Sequence, residues 1–171
     1  MDISGRSRAR QLALAREYGL TGITSGAGGC LLTDANYARR VRDLYDHRAE
    51  IELSDYRLLA IGRHFRIDDE TKLIASREEG ECEKLMAFVG PGRTLYVPES
   101  FAGPSVLLEG AQNARNERRA LHLLASYTKL KEGERGPVQT LAVHRHGEQV
   151  VLREFAWEEG DKALWETSII K

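Results

Sequence analysis

The sequence is short of cysteine and proline, and its charges almost cancel. It holds two cysteines, Cys30 and Cys82, and four prolines among 171 residues. Two cysteines are too few for a disulfide framework, and their spacing with the five histidines matches no zinc-binding pattern. The sequence also lacks an apolar run long enough to span a membrane and the apolar core of a signal peptide. We therefore expect a cytoplasmic protein with no metal site.

The near-zero net charge limits the partners that the chain can bind strongly. With 25 basic and 26 acidic residues, the net charge at pH 7 is −1. Such a chain has no global basic field of the kind that drives tight nucleic-acid binding. Any affinity for RNA should be modest and strongly salt-dependent, because only local arginine clusters are available. The hydrophobic content of 42% is still sufficient for a sizeable core.

A loop that could cradle the phosphates of ATP is also missing. No segment reads Ser-Gly-Gly-x-Asp-Ser, and there is neither a Walker lysine nor a dinucleotide-binding fingerprint. The run over residues 25–29 is rich in glycine, but it lacks the following aspartate and a preceding strand. We expect this chain to hold no cofactor and to bind no ATP by itself.

The most informative segment is a loop of small residues that delivers one cysteine to a predicted helix start. Residues 25–34 read Ser-Gly-Ala-Gly-Gly-Cys-Leu-Leu-Thr-Asp, and a helix is predicted over Ala35–His47. The positive end of the helix dipole favours a thiolate at Cys30, and Arg39 and Arg40 add to that field. The alternative is that Cys30 is a small buried residue after a tight turn, a common environment for free cysteine.

The spacing of apolar residues predicts a mixture of helices and hairpins. Helices are predicted over four segments: Ser7–Tyr18, Ala35–His47, Glu78–Val89 and Asn113–Leu130. Strands are predicted over seven: Arg57–Gly62, Lys72–Ser76, Thr94–Val97, Ser105–Glu109, Val138–His144, Gln149–Phe155 and Ala163–Ile170. Because no β-α-β rhythm repeats, we expect an α+β fold, with a helical N-terminal extension followed by a largely antiparallel sheet with packed helices. We divide the chain into a helical connector with a Gly-rich cysteine loop (1–50) and an α+β domain (51–171).

Two segments near the amino end resemble a known enzyme family. The runs Leu12–Leu20 and Gly28–Asp34 are similar to the segment that follows the ATP-binding domain in PP-loop tRNA sulfurtransferases, also labelled thiouridylases or thiamine-biosynthesis-like proteins. Gly26 stands where that family usually has proline. The resemblance implies that Cys30 is the catalytic cysteine, which handles sulfur in persulfide or disulfide chemistry. It also implies that the chain is the C-terminal part of a larger enzyme, or a protein that has lost its ATP domain.

The second half of the chain resembles another family. Four segments are similar to the RNA-binding domain of NFACT proteins, which is also found fused to thiouridine-synthase-like PP-loop proteins: Lys72–Arg77, Glu83–Leu85, Gly103–Leu108 and Ala120–Thr128. Residues 76–78 read Ser-Arg-Glu instead of the usual Gly-Arg-Asn, and Thr94–Val97 replaces the aspartate, aromatic and histidine motif of the ribosome-associated branch. Arg77 occupies a recurrent arginine position, where it either contacts phosphate or pairs with Glu78 or Glu81. The resemblance implies the fold of the second domain better than any specific RNA contact.

Local clusters of positive charge supply the candidate RNA-binding residues. Five arginines are chosen: Arg39, Arg40, Arg63, Arg66 and Arg77. Arg63, His64 and Arg66 surround Phe65, which would place cations beside an aromatic ring on which a base can stack. The alternative is an exposed strand edge, whose charges oppose aggregation.

Two functions are compatible with these observations. The first is the RNA-binding and sulfur-handling region of a tRNA thiolation enzyme, whose partners are tRNA, an upstream PP-loop ATPase domain and a sulfur-donor protein. The alternative is a non-catalytic RNA- or ribosome-binding module in which the cysteine is incidental. Because the phosphate-binding loop is missing, the chain alone should not activate uridine, and ATP is expected only in an upstream domain.

Overall fold

The computed structural model of the protein describes residues 9–20, 31, 34–130, 136–158 and 160–170. Its helices are α1 (Ala9–Glu17), α2 (Ala35–His47), α3 (Leu53–Leu59), α4 (Glu79–Met86), α5 (Ala114–Tyr127) and the 3-10 helix Lys162–Trp165. Its strands are β1 (Arg63–Arg66), β2 (Lys72–Ala75), β3 (Arg93–Pro98), β4 (Val106–Glu109), β5 (Val138–Arg145) and β6 (Val151–Ala156). No helix in these ranges is long and apolar enough to cross a membrane.

The six strands form one antiparallel sheet in the order β1-β2-β4-β3-β5-β6. Three hairpins, β1–β2, β3–β4 and β5–β6, are joined in sequence by α4 and α5. Helix α5 and the 3-10 helix pack on the first face of the sheet, whereas α3 and α4 pack on the second face. This arrangement confirms the predicted α+β class with a helical N-terminal part and an antiparallel sheet. The division of the chain at residue 50 stays a prediction.

The first face of the sheet carries the larger core. Alternate residues of a strand point to the same side, and this places Phe65 of β1 and Leu73 of β2 on this face, where both are fully buried. Ala120, Leu123 and Leu124 of α5 pack against them with the three- and four-residue spacing of one helix side. Burial of this stripe holds α5 along the sheet.

The second face is covered by shorter helices. Leu58 of α3 and Leu85 of α4 are buried against the second-face residues of three central strands, which are Ile74, Leu95 and Leu107. Because both faces are covered here, β2 is buried along its whole length. The strands β2, β4 and β3 are therefore packed on both faces.

Two of the predicted strands are wrong. The segment predicted as the strand Arg57–Gly62 includes the end of helix α3, which begins where the Asp55 carboxylate accepts a hydrogen bond from the backbone N–H of Glu52. Gly62 then turns the chain into β1 with a positive φ of 69°. The segment predicted as the strand Ala163–Ile170 holds most of the 3-10 helix instead, and only a single bridge joins Ile169 to β1.

The carboxylate of Asp43 joins α2 to the sheet. It accepts two hydrogen bonds from Arg66 of β1, at 2.9 and 2.8 Å, and one from Lys72 of β2 at 3.1 Å. Burial opposes the charged carboxylate, but the hydrogen bonds and positive charges of Arg66 and Lys72 outweigh it and lower the pKa of Asp43 to about 2. Arg66, one of the predicted RNA-binding residues, is therefore engaged in an ion pair within the fold.

His64 lies fully buried beside this ion pair. Its Nε2 donates to the backbone oxygen of Ile61 at 2.8 Å, and its Nδ1 has no hydrogen-bond partner among the described residues. Burial, followed by the positive charges of Lys72 and Arg40, lowers the pKa of His64 well below its usual value of 6.5. His64 is therefore neutral in the folded protein at neutral pH.

The first prediction concerns the Asp43 ion pair. We expect Arg66→Ala to lower the free energy of unfolding by about 2 kcal/mol, because the half-buried Asp43 carboxylate loses its two-bond partner and keeps only Lys72. Urea unfolding at pH 7 measures the change. The control is Arg57→Ala on the exposed side of α3, which should cost less than about 0.5 kcal/mol. Equal stabilities of the two variants would contradict this role of Asp43.

The second prediction concerns pH. Because the pKa of His64 is lowered by folding, the unfolded chain binds a proton below pH 6.5 that the folded protein does not bind. The free energy of unfolding should therefore decrease as pH falls from 7 to 5.5, by up to about 1.4 kcal/mol per pH unit from this residue. His64→Gln should remove that part of the slope, measured by urea unfolding at each pH. A slope as steep as that of the wild type would show that another group is responsible.

Candidate functional site

A groove opens at one end of the sheet. Antiparallel pairing brings the start of β1, the end of β2, the start of β4 and the end of β3 to the same end. Between the last residues of α5 and the first residues of α4, the chain leaves a groove of about 790 Å³ over these strand ends. This volume is within the range of small-molecule and cofactor sites. We call it the Tyr127 groove, after the aromatic residue on its α5 wall.

Two cations lie on the ring of Tyr127. The guanidinium carbon of Arg63 is 5.4 Å from the ring centroid, and the Lys162 Nζ is 5.0 Å from it. Both distances are typical of cation–π contacts. Neither cation has an acidic partner in the described part of the chain. The α5 wall of the groove is therefore positively charged and aromatic.

The floor of the groove is held by hydrogen bonds between the ends of β2 and β4. The backbone N–H of Ser76 donates to the Ser105 oxygen at 2.9 Å, and the Ser105 N–H donates to the Ser76 Oγ at 3.0 Å. The Ser105 Oγ in turn donates to the Cys82 Sγ of α4 at 3.0 Å. These contacts fix the floor, and apolar side chains beside it complete the lining: Val97, Pro98, Phe101 and Pro104.

The α4 wall carries acidic side chains. Glu78 and Glu79 are exposed there, and Glu81 accepts hydrogen bonds from the backbone and guanidinium of Arg77 and from the Gly62 N–H. Burial opposes the charged form of Glu81, but the hydrogen bonds and charge of Arg77 lower its pKa to about 2. Arg77 thus pairs with Glu81, one of the two glutamates considered from the sequence.

A second basic surface lies along the outer side of α5. The arginine cluster, as we call it, has the i, i+3, i+4, i+7 spacing of one helix side and comprises Arg115, Arg118, Arg119 and His122. Arg119 pairs with Asp68 at 2.9 Å, whereas Arg115 and Arg118 are exposed and have no acidic partner in the ranges described. The sequence analysis missed this cluster, although its spacing on a predicted helix could have revealed it.

The Trp165 ring joins the arginine cluster to the Tyr127 groove. Its indole N–H lies 3.2 Å from the His122 Nδ1 and 3.1 Å from the Ser126 Oγ. The 3-10 helix therefore lies along α5, with Trp165 at His122 and Lys162 at Tyr127. It thus contacts α5 both beside the arginine cluster and at the Tyr127 groove.

The five predicted RNA-binding arginines do not lie together. Arg63 and Arg77 line the Tyr127 groove, and Arg66 pairs with Asp43 on the second face of the sheet. Arg40 donates to the backbone oxygen of Leu59 at 2.8 Å at the end of α3, and Arg39 is exposed on the first turns of α2. Burial, and then the charge of Arg77, lower the pKa of Arg40.

Stacking of a base on Phe65 is excluded. The Phe65 side chain is completely buried in the first-face core, so no ligand ring can reach it. The accessible ring in this region is that of Tyr127, whose centroid lies 5.8 Å from the Phe65 centroid. Cys30, the predicted catalytic residue, lies outside the described residues. Within those residues, no group of histidine, cysteine and acidic side chains is placed to hold a metal ion.

Three of the four segments that carry the sequence resemblance to the NFACT-type domain reach the groove, whereas Glu83–Leu85 lies on α4, where Leu85 is buried in the second-face core. The last residues of Lys72–Arg77 lie at the floor of the groove, and the first residues of Gly103–Leu108 line its side. The last residues of Ala120–Thr128 form its α5 wall. They are far apart in the sequence and are brought together by the sheet. Most of the segments that carry the resemblance therefore border the groove.

Comparison with solved structures gives a match at low identity. The structure of the C-terminal of the fibronectin/fibrinogen-binding protein from Streptococcus suis shares 12% identity with this chain, at a TM-score of 0.48. The match covers 82% of this chain and 64% of that one, so this chain spans less than two thirds of the length of that structure. Comparison with curated proteins gave no match.

The predicted membership of the PP-loop tRNA sulfurtransferases is wrong, because no comparison points to that family. The run Gly28–Asp34 that suggested it ends in the N-cap of α2, where the Asp34 side chain accepts the Tyr37 N–H at 2.8 Å. Small residues followed by such a cap are common before helices of any family. The upstream PP-loop domain and the sulfur-donor partner lose their support with it.

The comparison with protein families finds a match for the part of the chain that forms the sheet. A model described as the NFACT protein RNA binding domain matches residues 62–162. This range is more than half of the chain and contains all six strands, α4, α5 and the Tyr127 groove. The chain therefore belongs to the family of NFACT protein RNA-binding domains.

Proposed function

We propose that the protein is a non-catalytic RNA-binding module whose contact surface combines the Tyr127 groove and the arginine cluster of α5. The family match supports RNA binding in general. The observation that carries the choice of surface is a row of cations without acidic partners among the described residues: Arg63, Lys162, Arg115 and Arg118. Unpaired cations remain available for phosphate, whereas paired ones are neutralised within the fold.

This surface is long enough to contact several nucleotides. Arg115 and Tyr127 lie near opposite ends of α5, and the rise of 1.5 Å per residue places them about 18 Å apart. Lys162 of the 3-10 helix lies on the partly exposed Tyr127 ring, so that a cation and an aromatic ring adjoin at this end of the surface. Cations interleaved with aromatic rings are the usual chemistry of single-strand binding.

The other predicted arginines contribute less to this surface. Arg66 and Arg77 are each bonded to a carboxylate, Asp43 and Glu81, which offsets their charge. Arg39 and Arg40 on α2 stay predictions. Because the net charge is −1, binding by the remaining cations is expected to be weak at high salt.

The third prediction tests the surface. We expect the double variant Arg115→Ala/Arg118→Ala to bind a single-stranded 20-nucleotide RNA about tenfold more weakly near 0.1 M salt. The slope of log affinity against log salt should fall by about 1.4, because each phosphate contact on a single strand contributes about 0.7. Fluorescence anisotropy with labelled RNA at several salt concentrations measures both quantities.

The matched control removes the same charge from the other face of the sheet. Arg57 of α3 and Lys84 of α4 are exposed and have no acidic partner in the described ranges. Arg57→Ala/Lys84→Ala should therefore keep most of the affinity and the wild-type salt slope. An equal loss in both double variants would place the RNA elsewhere. A wild-type protein that binds no RNA at 50 mM salt would refute the proposed function.

A further inference from the structure

We propose that the Tyr127 groove receives a single unpaired nucleotide, with its phosphate between Arg63 and Lys162 and its base against the apolar lining. The proposal rests on the proposed function and deepens it by naming the ligand of one part of the surface. Three features of the groove support it. Its cations have no acidic partner, its volume exceeds that of a phosphate, and its two walls carry opposite charges.

The cations define the position of the phosphate. Arg63 and Lys162 both lie on the Tyr127 ring, 5.4 and 5.0 Å from its centroid, and neither has a carboxylate partner in the described chain. Like charges repel one another. We place the phosphate beside the ring, where it would reduce this repulsion and accept charge-assisted hydrogen bonds from the two long side chains.

The shape of the groove provides room for a base next to that phosphate. Its volume of about 790 Å³ exceeds what a phosphate alone needs, and Val97, Phe101 and Pro104 give part of it an apolar lining. The wall at Gly103 lies close against the end of α5, because a Cβ on Gly103 would collide with the Thr128 Oγ1. The cavity is thus preformed by close packing, which reduces the entropy lost on binding.

The separation of charge limits the ligand to one nucleotide. Glu78 and Glu79 on the α4 wall face the cationic α5 wall and have no basic partner in the described segments. They repel a second phosphate, whereas their oxygens can accept hydrogen bonds from a base or a ribose hydroxyl. A base inside a duplex is stacked and paired and cannot enter, so the groove should discriminate against double-stranded RNA.

The fourth prediction tests the groove without RNA. Adenosine 5′-monophosphate, added to the 15N-labelled protein, should shift the backbone amide signals of Gly103 and Ser105, which border the cavity. Inorganic phosphate at the same concentration should shift them much less, because it lacks the base. The nucleotide proposal is overturned if the adenosine monophosphate leaves these signals in place, or if inorganic phosphate shifts them equally.

The fifth prediction tests the groove with RNA. Arg63→Ala/Lys162→Ala should weaken binding of a single-stranded RNA about tenfold and change binding of a blunt duplex of the same length less than about twofold. Arg115→Ala/Arg118→Ala should weaken both RNAs by similar factors, and Arg57→Ala/Lys84→Ala should change neither much. Circular dichroism and thermal unfolding confirm that each variant is folded.

The outcomes separate this proposal from the function on which it rests. If the groove variant weakens both RNAs by the same factor, Arg63 and Lys162 act only as general backbone contacts and the nucleotide site is refuted. If the wild-type protein binds neither RNA, the proposed function fails, while the adenosine monophosphate titration still decides whether the groove holds a nucleotide.

Discussion

The antiparallel register of β1, β2, β4 and β3 is the constraint on which the rest of the structure depends. It brings four strand ends to one place and leaves the Tyr127 groove above them. Burial on both faces of the sheet holds this register. A slip of one residue would remove Phe65 and Leu73 from the first-face core and would remove Ile74 from the second-face core. Packing of the core thus also holds the strand ends that form the groove.

The pairing of charges decides which part of the surface is available to a ligand. A net charge of −1 suggests that no region is strongly basic, yet the positive charges are unevenly neutralised. Three carboxylates at the helix–sheet contacts neutralise cations inside the fold, and these are Asp43, Asp55 and Glu81. Along α5 and the 3-10 helix, several cations have no acidic partner in the described chain, as is also true of Arg57 on α3 and Lys84 on α4. A nearly neutral protein can therefore present a locally basic binding surface.

Local sequence signals predicted many of the elements well. Helix α2 has the predicted bounds of Ala35–His47, because a capping aspartate and a strong amphipathic period mark it. The segment Arg57–Gly62 was misread because Leu58 to Ile61 form a short apolar run, which fits a strand or a buried helix equally. Its helical state is set by packing of Leu58 and Leu59 against α2 and the second face. The resemblance of Gly28–Asp34 to an enzyme family was misleading for a similar reason. A short run of small residues before a helix start is too common to distinguish one family from another.

The sequence by itself determined the α+β class, the β5–β6 hairpin, the helices α1, α2, α4 and α5 and the NFACT-type resemblance, because these depend on patterns between near neighbours. Only the tertiary structure decided which cations are available. Arg63 and Arg66 lie three residues apart and have the same chemistry, but the alternation of a strand sends them to opposite faces of the sheet. Arg66 meets Asp43 from a helix 23 residues earlier, whereas Arg63 meets Tyr127 and Lys162 from the far end of the chain. Such partners come together only when the sheet has formed, so no local sequence pattern predicts them.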